Sequence, residues 1–239
     1  MGGVKGDAVG AAIPRNHLLA ALPPAELRLV ARQLELVHCP AGMPLEAEGE
    51  PVAWAHFPVT CVAARFYTLP DGSTSEHGVF GRDGLTGVAT VLGGGPSSGR
   101  VEVVIEGDAL RMPAEAVRAE FRRGGAFQRL FLEYTQTLLS QISTEAACSA
   151  HHPVEKRLAR VLLEVAARWS GSDLPLTQET LGSLLGVRRE TVCHATAHLQ
   201  DEGCIHHERG HVRVLDTARL RQNACACVRP AAVPQSPNR

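Results

Sequence analysis

The sequence predicts an α+β fold: an N-terminal antiparallel, jelly-roll-like β-roll, then a long dimerisation helix, then a C-terminal winged helix-turn-helix. Three observations predict it. Between about residues 35 and 112, short runs rich in β-branched residues alternate with Gly- and Pro-containing turns. After Pro113, apolar residues recur in steps of three and four. Near the C-terminus, Gly186 separates two short helical patterns. The predicted segments are the β-roll at 15–125, the dimerisation helix at 126–150, the winged helix-turn-helix at 151–222 and a flexible tail at 223–239.

Composition and charge narrow the class of protein. Hydrophobic residues at 44% and charged residues at 21% are typical of a globular chain. The sequence contains no apolar run of about 18 residues, so a membrane span is not predicted. The net charge of -1 gives no bulk attraction for a polyanion. Residues 151–222 carry a net charge of +1, against -4 for residues 1–150, so any nucleic-acid contact depends on local placement. Seven cysteines without a secretory signal indicate reduced thiols and a cytoplasmic protein.

Two helical segments are expected before the β-region. Asn16 can cap the first, and Pro24 suits the first turn of the second, where its missing N–H costs little. The second is expected to run through residues 25–37. The residues before Asn16 are expected to form a loose arm.

The long helix has an apolar stripe along one face. At 1.5 Å per residue, its roughly 25 residues would extend about 37 Å. We predict that the stripe packs against a second copy of the chain, because a DNA reader that works best in pairs follows it. The alternative is that the stripe covers the protein's own sheet. The predicted interface residues are Phe127, Leu130, Phe131, Tyr134, Leu138 and Ile142.

The segment from about Thr177 to Glu202 is typical of a helix-turn-helix. Thr177 can cap the first helix, and Gly186 stands where a helix takes a left-handed end. Val187 is expected to be buried in the turn. The residues expected to face inward are Leu181, Leu184 and Leu185 on the first helix and Val192, Ala195, Ala197 and Leu199 on the second.

Polar side chains gather at the first turn of the second helix, where a recognition helix meets base edges. Arg189 can donate two hydrogen bonds to guanine, Glu190 can accept one from cytosine, and Thr191 can contact a phosphate. Farther along, an alternating stretch around Arg209-Gly210 predicts a hairpin wing. The predicted DNA-binding residues are Thr177, Gln178, Arg188, Arg189, Glu190, Thr191, His194, Arg209 and Arg213.

These motifs resemble the Crp/Fnr family of regulators. The resemblance covers about residues 15–222, and its specific part is LTQETLGSLLGVRRETVCHATAHLQDEGCIHHERGHVRVLD. It implies a β-roll of cyclic-nucleotide-binding type ahead of the winged helix-turn-helix. The family's two base-reading residues carry over onto Arg189 and Glu190. A third position, usually Arg in the family, is His194 here, which leaves the outer bases of a half-site open.

The sensor half departs from the cyclic-nucleotide binders of that family. They carry a Gly-Glu pair for the ribose and an Arg-Ser pair for the phosphate, whereas this chain has Gly87 and Ser97-Ser98 at those places. Without the carboxylate and the guanidinium, bidentate hydrogen bonding and charge neutralisation are lost. We therefore expect no physiological cyclic-nucleotide binding. The candidate effector pocket comprises Gly87, Val88, Ser97, Ser98 and Arg100.

Several cysteines and histidines leave other chemistry open. One alternative is a soft-metal or redox site at the C-x-C pair, formed by Cys225 and Cys227 with Cys204, His206 and His207. A second is haem bound in the β-region by His77 and Cys61. A third is a redox-sensitive thiol at Cys148, near the end of the long helix. Packed or exposed side chains are the simpler interpretation, so we predict no metal site and no cofactor.

The sequence thus predicts a homodimer that reads a pseudo-palindromic operator in double-stranded DNA and tunes transcription. Its recognition helices would lie about 34 Å apart, and RNA polymerase and an unidentified small-molecule effector are the further expected partners. The alternative is a ligand, haem or redox sensor whose DNA output is secondary. No catalytic motif is present, so no enzymatic activity is expected.

Overall fold

The computed structural model describes residues 3–70, 74–171 and 173–227, and for residues 3–6, 75 and 77 the backbone alone. The helices and strands in these ranges are α1 (Gly3–Ala12), α2 (His17–Ala20), α3 (Pro24–Ala31), β1 (Glu35–Cys39), β2 (Pro44–Glu46), β3 (Trp54–Pro58), β4 (Val62–Thr68), β5 (Thr74–Phe80), β6 (Arg100–Ile105), β7 (Gly107–Pro113), α4 (Ala114–Arg123), α5 (Gly125–His151), α6 (Val154–Arg168), β8 (Asp173–Leu174), α7 (Gln178–Leu185), α8 (Arg189–Asp201), β9 (Ile205–Glu208), β10 (His211–Val214) and α9 (Thr217–Asn223).

Two units account for the described residues. The first contains those of 1–63 and 80–139, and the second those of 64–79 and 140–231. The predicted tail falls on residues 223–239, of which 228–239 lie outside the described residues. No helix in the described part of the chain has both the length and the apolar character needed to cross a bilayer.

The first unit is built around antiparallel strands, as the spacing of turn signals predicts. Strand β7 lies between β1 and β3, and β2 pairs with β6. The buried apolar side chains of these strands form the core, in which Phe57, Ile105, Leu110 and Met112 are fully enclosed. The α+β fold class with antiparallel sheets is therefore confirmed.

Asn16 has the capping role that the sequence predicts, and it also joins the end of β3 to the loop at Gly84. Its side-chain oxygen accepts the N–H of Leu19 at 3.2 Å, and its amide donates to the carbonyls of Pro58 and Gly84 at 2.9 and 3.0 Å. Residues 3–12 form helix α1 and residues 13–15 a 3-10 turn, so the expected loose arm is wrong for this described part of the segment.

Helix α3 begins at Pro24 as predicted but ends at Ala31, six residues before the expected end. Residues 35–39 instead form β1, which pairs in register with residues 107–111 of β7. The apolar spacing of residues 27–34 fits a helix, but ladder hydrogen bonds to a partner far along the chain decide the conformation of the following residues.

Helix α5 spans 27 residues, and its apolar stripe is enclosed within one copy of the chain. The rings of Phe127 and Phe131 lie 5.0 Å apart, and Phe121 meets Phe131 edge-on at 6.2 Å. Tyr134 packs so closely on Gly84 that a Cβ there would lie 2.5 Å from its hydroxyl. Of the predicted interface residues, Phe127, Leu130, Phe131, Tyr134 and Leu138 are buried, and Ile142 is half-buried.

This burial agrees with the alternative to the extent that the stripe packs within its own chain, against Phe121 of α4 and Gly84. A side chain already enclosed in one copy has little surface left to bury against a second. The large exposed apolar side chains of α5 are Leu132 and Leu139, at 50% and 55%. They lie seven residues apart, two helical turns along one face.

The second unit contains α6, α7, α8, α9 and a sheet with the strand order β8-β10-β9. Leu158, Val161, Leu162 and Val165 of α6 are buried and recur in steps of three and four along one face. Strands β4 and β5 lie side by side, and most of this pair belongs to the same unit.

Candidate nucleic-acid interface

The helix-turn-helix has the local structure that its sequence predicts. The side chain of Thr177 accepts the N–H of Thr180 at 3.1 Å and so caps α7. Gly186 ends α7 in the left-handed region at φ 63°, where a glycine costs least. A Cβ at Gly182 would lie 3.1 Å from the carbonyl oxygen of Val187, so a small residue allows the turn to approach α7.

The inward face of α8 differs from the prediction at one position. Val192, Ala195, Thr196 and Leu199 are buried, whereas Ala197 is exposed. The buried set follows steps of three and four, which is the period of one helix face, and Ala197 lies one residue off that face. Val187 is half-buried rather than buried.

The exposed first turn of α8 borders an open groove of about 1370 Å³. Arg188 and Arg189 lie at the junction of turn and helix and are exposed to solvent. Six of the nine predicted DNA-binding residues line the groove: Thr177, Gln178, Arg188, Arg189, Thr191 and Arg209. Glu190 and His194 are exposed on α8 but do not line it. The groove is also lined by Glu179, Ser183 and His207, none of which was among the predicted DNA-binding residues.

Gln178 joins the two helices of the motif. Its amide oxygen accepts from Nε of Arg189 at 3.4 Å and from the thiol of Cys193 at 3.0 Å. The contact to Arg189 uses Nε and leaves the terminal nitrogens of the guanidinium for another partner. Gln178 therefore orients Arg189 while keeping its bidentate edge open.

The predicted wing is present as the hairpin of β9 and β10. His211 pairs with Glu208, so the connecting turn has two residues, Arg209 and Gly210. Both have positive φ, 48° and 83°, which is the type I′ geometry preferred by two-residue hairpins. The turn presents Arg209 at the tip of the hairpin, where its side chain is 90% exposed.

Arg213, predicted to lie near the DNA backbone, is paired within the chain. Its guanidinium binds both carboxylate oxygens of Asp173, with Nη2 to Oδ2 at 2.8 Å, on the neighbouring strand β8. Hydrogen bonds from Arg213 hold the pKa of Asp173 below its usual range. The carboxylate offsets the positive charge that would attract a phosphate.

In the candidate effector pocket, a carboxylate of the protein itself accepts hydrogen bonds from two of the predicted residues. Glu46 is buried, and it accepts the backbone N–H of Gly87 at 2.7 Å and the hydroxyl of Ser97 at 3.0 Å. The structure thus brings Gly87 and Ser97 together around Glu46, a residue outside the predicted pocket. Ser98 is exposed, Val88 is buried, and Arg100 donates to Glu102 at 3.2 Å.

The haem alternative gains no support from Cys61. Its thiol is fully buried and hydrogen-bonded to Cys39, and that bond together with burial raises its pKa, which favours a protonated thiol over the thiolate that ligates iron. The side chain of His77 lies outside the described residues.

Comparison with known proteins identifies the C-terminal module. Residues 156–223 match the Crp-like helix-turn-helix domain. A CRP-like cAMP-activated global transcriptional regulator of Mycobacterium tuberculosis is 26% identical over 219 residues, which cover 89% of this chain and 98% of the relative.

Solved structures share the fold. FixK2 from Bradyrhizobium japonicum aligns with a TM-score of 0.69 at 17% identity, covering 81% of this chain and 98% of FixK2. A CRP-family transcriptional regulator from Thermus thermophilus, TTHB099, aligns with a TM-score of 0.68 at 18% identity, covering 82% of this chain and 100% of that structure. The chain carries a Crp-like helix-turn-helix and has the fold of Crp/Fnr transcriptional regulators, so the predicted resemblance is confirmed.

Proposed function

We propose that this protein is a sequence-specific DNA-binding regulator of transcription that acts as a homodimer on a pseudo-palindromic operator. The observation that carries the proposal is the position of Arg189. It stands exposed in the first turn of α8, beside the groove, and Gln178 orients it.

The groove supplies both kinds of contact that reading DNA requires. Arg189 would donate to O6 and N7 of a guanine, and Glu190 would accept from a neighbouring cytosine. Thr191, Arg188 and the wing residue Arg209 would contact phosphates, which fix the register of the helix without reading sequence. Thr177, Gln178, His194 and Arg213 remain predicted contacts, the last weakened by its pairing with Asp173.

A homodimer would let two α8 helices read successive major grooves about 34 Å apart. We place the shared surface on the exposed face of α5 that contains Leu132 and Leu139, rather than on the buried stripe. Two leucines at heptad spacing suit a symmetric contact between two copies of one helix.

The effector is not a cyclic nucleotide in this proposal. The Mycobacterium tuberculosis relative is named as cAMP-activated, and a regulator from Xanthomonas campestris that shares this fold at 14% identity is described as c-di-GMP responsive. Here Glu46 already engages Gly87 and Ser97, so an anionic ligand would meet a buried carboxylate of like charge. We propose another small-molecule input to the β-roll, RNA polymerase as a partner, a cytoplasmic location, and no enzymatic activity.

Selection of bound sequences from a random pool of double-stranded DNA tests the proposal. Purified protein should enrich a motif with two inverted half-sites spaced by one helical turn. An enriched single half-site would contradict the homodimer, and no enrichment over the starting pool would contradict sequence-specific binding itself.

A further inference from the structure

Four potential metal ligands converge at the end of helix α5. The ligating atoms of Cys148, His152, Cys225 and Cys227 all lie within 4.8 Å of one another. The sulfurs of Cys148 and Cys225 are 3.3 Å apart, and the sulfur of Cys227 lies 3.9 Å from Nδ1 of His152. The C-x-C pair thus meets partners other than those the sequence suggested, since Cys204 instead accepts a hydrogen bond from Asn223.

Two short sequence spacings build the cluster. Cys148 and His152 are four residues apart across the last turn of α5, where the N–H of His152 donates to the carbonyl of Cys148 at 3.0 Å, so both side chains lie on one face. Cys225 and Cys227 follow the end of α9 at Asn223, and α9 packs on α6. The packing of α9 therefore brings the C-x-C pair to the junction of α5 and α6.

The spacing of the four atoms fits one ion. Zinc binds sulfur at about 2.3 Å and nitrogen at about 2.0–2.1 Å in a tetrahedron, which sets two sulfurs about 3.8 Å apart and a sulfur and a nitrogen about 3.6 Å apart. The sulfur–sulfur separation here is 3.3 Å and the sulfur–nitrogen separation is 3.9 Å, so shifts of about 0.5 Å or less would complete the tetrahedron. A cluster of several irons would separate its ligands more widely. A disulfide between Cys148 and Cys225 would use two of the ligands and leave His152 and Cys227 without a role.

The surroundings favour the negative charge of such a site. Three thiolates and one divalent ion carry a net charge of about -1, and the Arg157 guanidinium lies within electrostatic range of Cys148 and Cys225. Arg157 is half-buried, and no hydrogen-bond acceptor among the described residues contacts its Nε. The guanidinium also donates from Nη2 to the carbonyl of Leu185, and a half-buried cation of this kind gains from a nearby anionic centre.

We propose that Cys148, His152, Cys225 and Cys227 bind one zinc ion in a closed, tetrahedral structural site. All four positions of the ion are filled by the protein, which is the pattern of structural rather than catalytic zinc. Binding forms three Zn–S bonds and one Zn–N bond and releases to solvent the protons of the thiols that were still protonated.

The site ties the segment after α9 to the junction of α5 and α6. Its ion would hold α9 against α6, the helix on which α8 also packs. Loss of the ion would therefore loosen the support of the helix-turn-helix. The metal site is independent of the proposed DNA-binding function, and its test needs no DNA.

Zinc content of the untagged full-length protein is the first measurement. The wild type should retain about one zinc per chain after dialysis against a weak chelator. Cys227→Ser and His152→Ala should each retain zinc at least about a hundredfold more weakly, since loss of even an outer partner of a ligand costs 10–100-fold in affinity. The matched controls are Cys193→Ser, another half-exposed cysteine, and His151→Ala, the neighbouring histidine; both should retain the ion.

Cobalt provides a second measurement, because the Co²⁺ spectrum reports on the ligands of the ion and not on the stability of the fold. Co²⁺ added to the zinc-free protein should give the intense visible bands of a tetrahedral site and a thiolate charge-transfer band. Cys227→His should keep the tetrahedral bands but lose part of the charge-transfer intensity. A weak octahedral cobalt spectrum, full zinc retention by Cys227→Ser, or a Cys148–Cys225 disulfide in protein purified without air would each overturn the proposal.

Discussion

The hydroxyl of Ser97 donates a hydrogen bond to Oε2 of Glu46 across 3.0 Å, and Oε1 of the same carboxylate accepts the N–H of Gly87 at 2.7 Å. An entering cyclic phosphate would have to displace a buried carboxylate and leave it without these donors. We therefore expect no heat of binding when cAMP is titrated into the protein at micromolar concentrations. A measured dissociation constant in the micromolar range would contradict this.

The position of Gly87 in the candidate pocket does not accommodate a larger residue. Its φ is +82°, and a Cβ there would lie 2.8 Å from both the Cα of Ala55 and the carbonyl oxygen of Trp54. Gly87→Ala should lower the free energy of unfolding by more than about 1–3 kcal/mol, because a backbone clash adds to the strain of positive φ. Denaturant unfolding measures the loss. Gly94→Ala is the control, since φ is +67° there but the added Cβ meets nothing within 4 Å; equal losses would show that contact adds nothing.

Arg189→Ala should weaken binding to the selected operator by about 1–3 kcal/mol, the value of one bidentate base contact. Binding to unrelated DNA should largely survive, because phosphate contacts remain. Gel-shift titrations on both DNAs give the ratio. Arg221→Ala removes the same charge from an exposed position of α9 outside the groove and should leave the ratio unchanged. An equal loss on all sequences would mean that Arg189 contacts only phosphates.

The buried carboxyl of Glu76 should remove stability as the pH rises from about 4.5 to 7, against an opposite contribution from His56, whose burial lowers its pKa to about 4. Burial raises the pKa of Glu76 to about 7, the charge of Glu164 acts in the same direction, and Arg160 and Arg168 oppose it. Burial likewise raises the pKa of Glu145. A folded-state pKa above the unfolded value means that the folded protein holds the proton more tightly, so its stabilising effect is complete below about pH 4.5 and is lost as the pH rises through 7.

Melting temperatures across this pH range provide the measurement. The melting temperature of Glu76→Gln should gain on that of the wild type as the pH rises from about 4.5 to 8, because a neutral amide has no proton to lose. Glu133→Gln, at an exposed acid on α5, should leave the profile as in the wild type. An unchanged slope in Glu76→Gln would show that this carboxyl does not titrate in the predicted range.

Leu139→Lys should weaken the dimer by at least about tenfold. Burial of one leucine is worth about 1.5–3 kcal/mol, and a symmetric dimer contains two copies. Sedimentation over a range of concentrations measures the dissociation constant. Leu92→Lys is the control, because Leu92 is 58% exposed against 55% for Leu139 but lies outside α5. A dimer equally stable in both variants would place the interface elsewhere.

Local signals predicted the helix-turn-helix well. Thr177 caps its helix, Gly186 ends it, and the Arg209-Gly210 turn closes the hairpin, each because the residue type suits a particular backbone geometry. The end of α3 at Ala31 and the burial of the α5 stripe were not predictable in the same way. Both depend on contacts between residues far apart in the chain, and apolar spacing does not reveal which surface covers which.

The sites show the same division. The exposed turn around Arg189 follows from helix periodicity, whereas the contact of Glu46 with Ser97 joins residues 51 positions apart. The metal cluster brings Cys148 to within 3.3 Å of Cys225, 77 positions along the chain. The sequence marked the C-x-C pair as a candidate but gave no means of choosing its partners among the other cysteines and histidines.

The ion pair of Arg213 and Asp173 has a consequence for how this protein would respond to salt. DNA affinity falls with salt concentration in proportion to the number of phosphates that the protein neutralises, because each neutralised phosphate releases condensed counterions. Arg213 already has an anion within the chain, so while that pair persists it releases none. The counterion release would then come mainly from Arg188 and Arg189 in the groove, because Arg209 on the wing also has an acidic neighbour, with Nε 3.4 Å from Oε1 of Glu208.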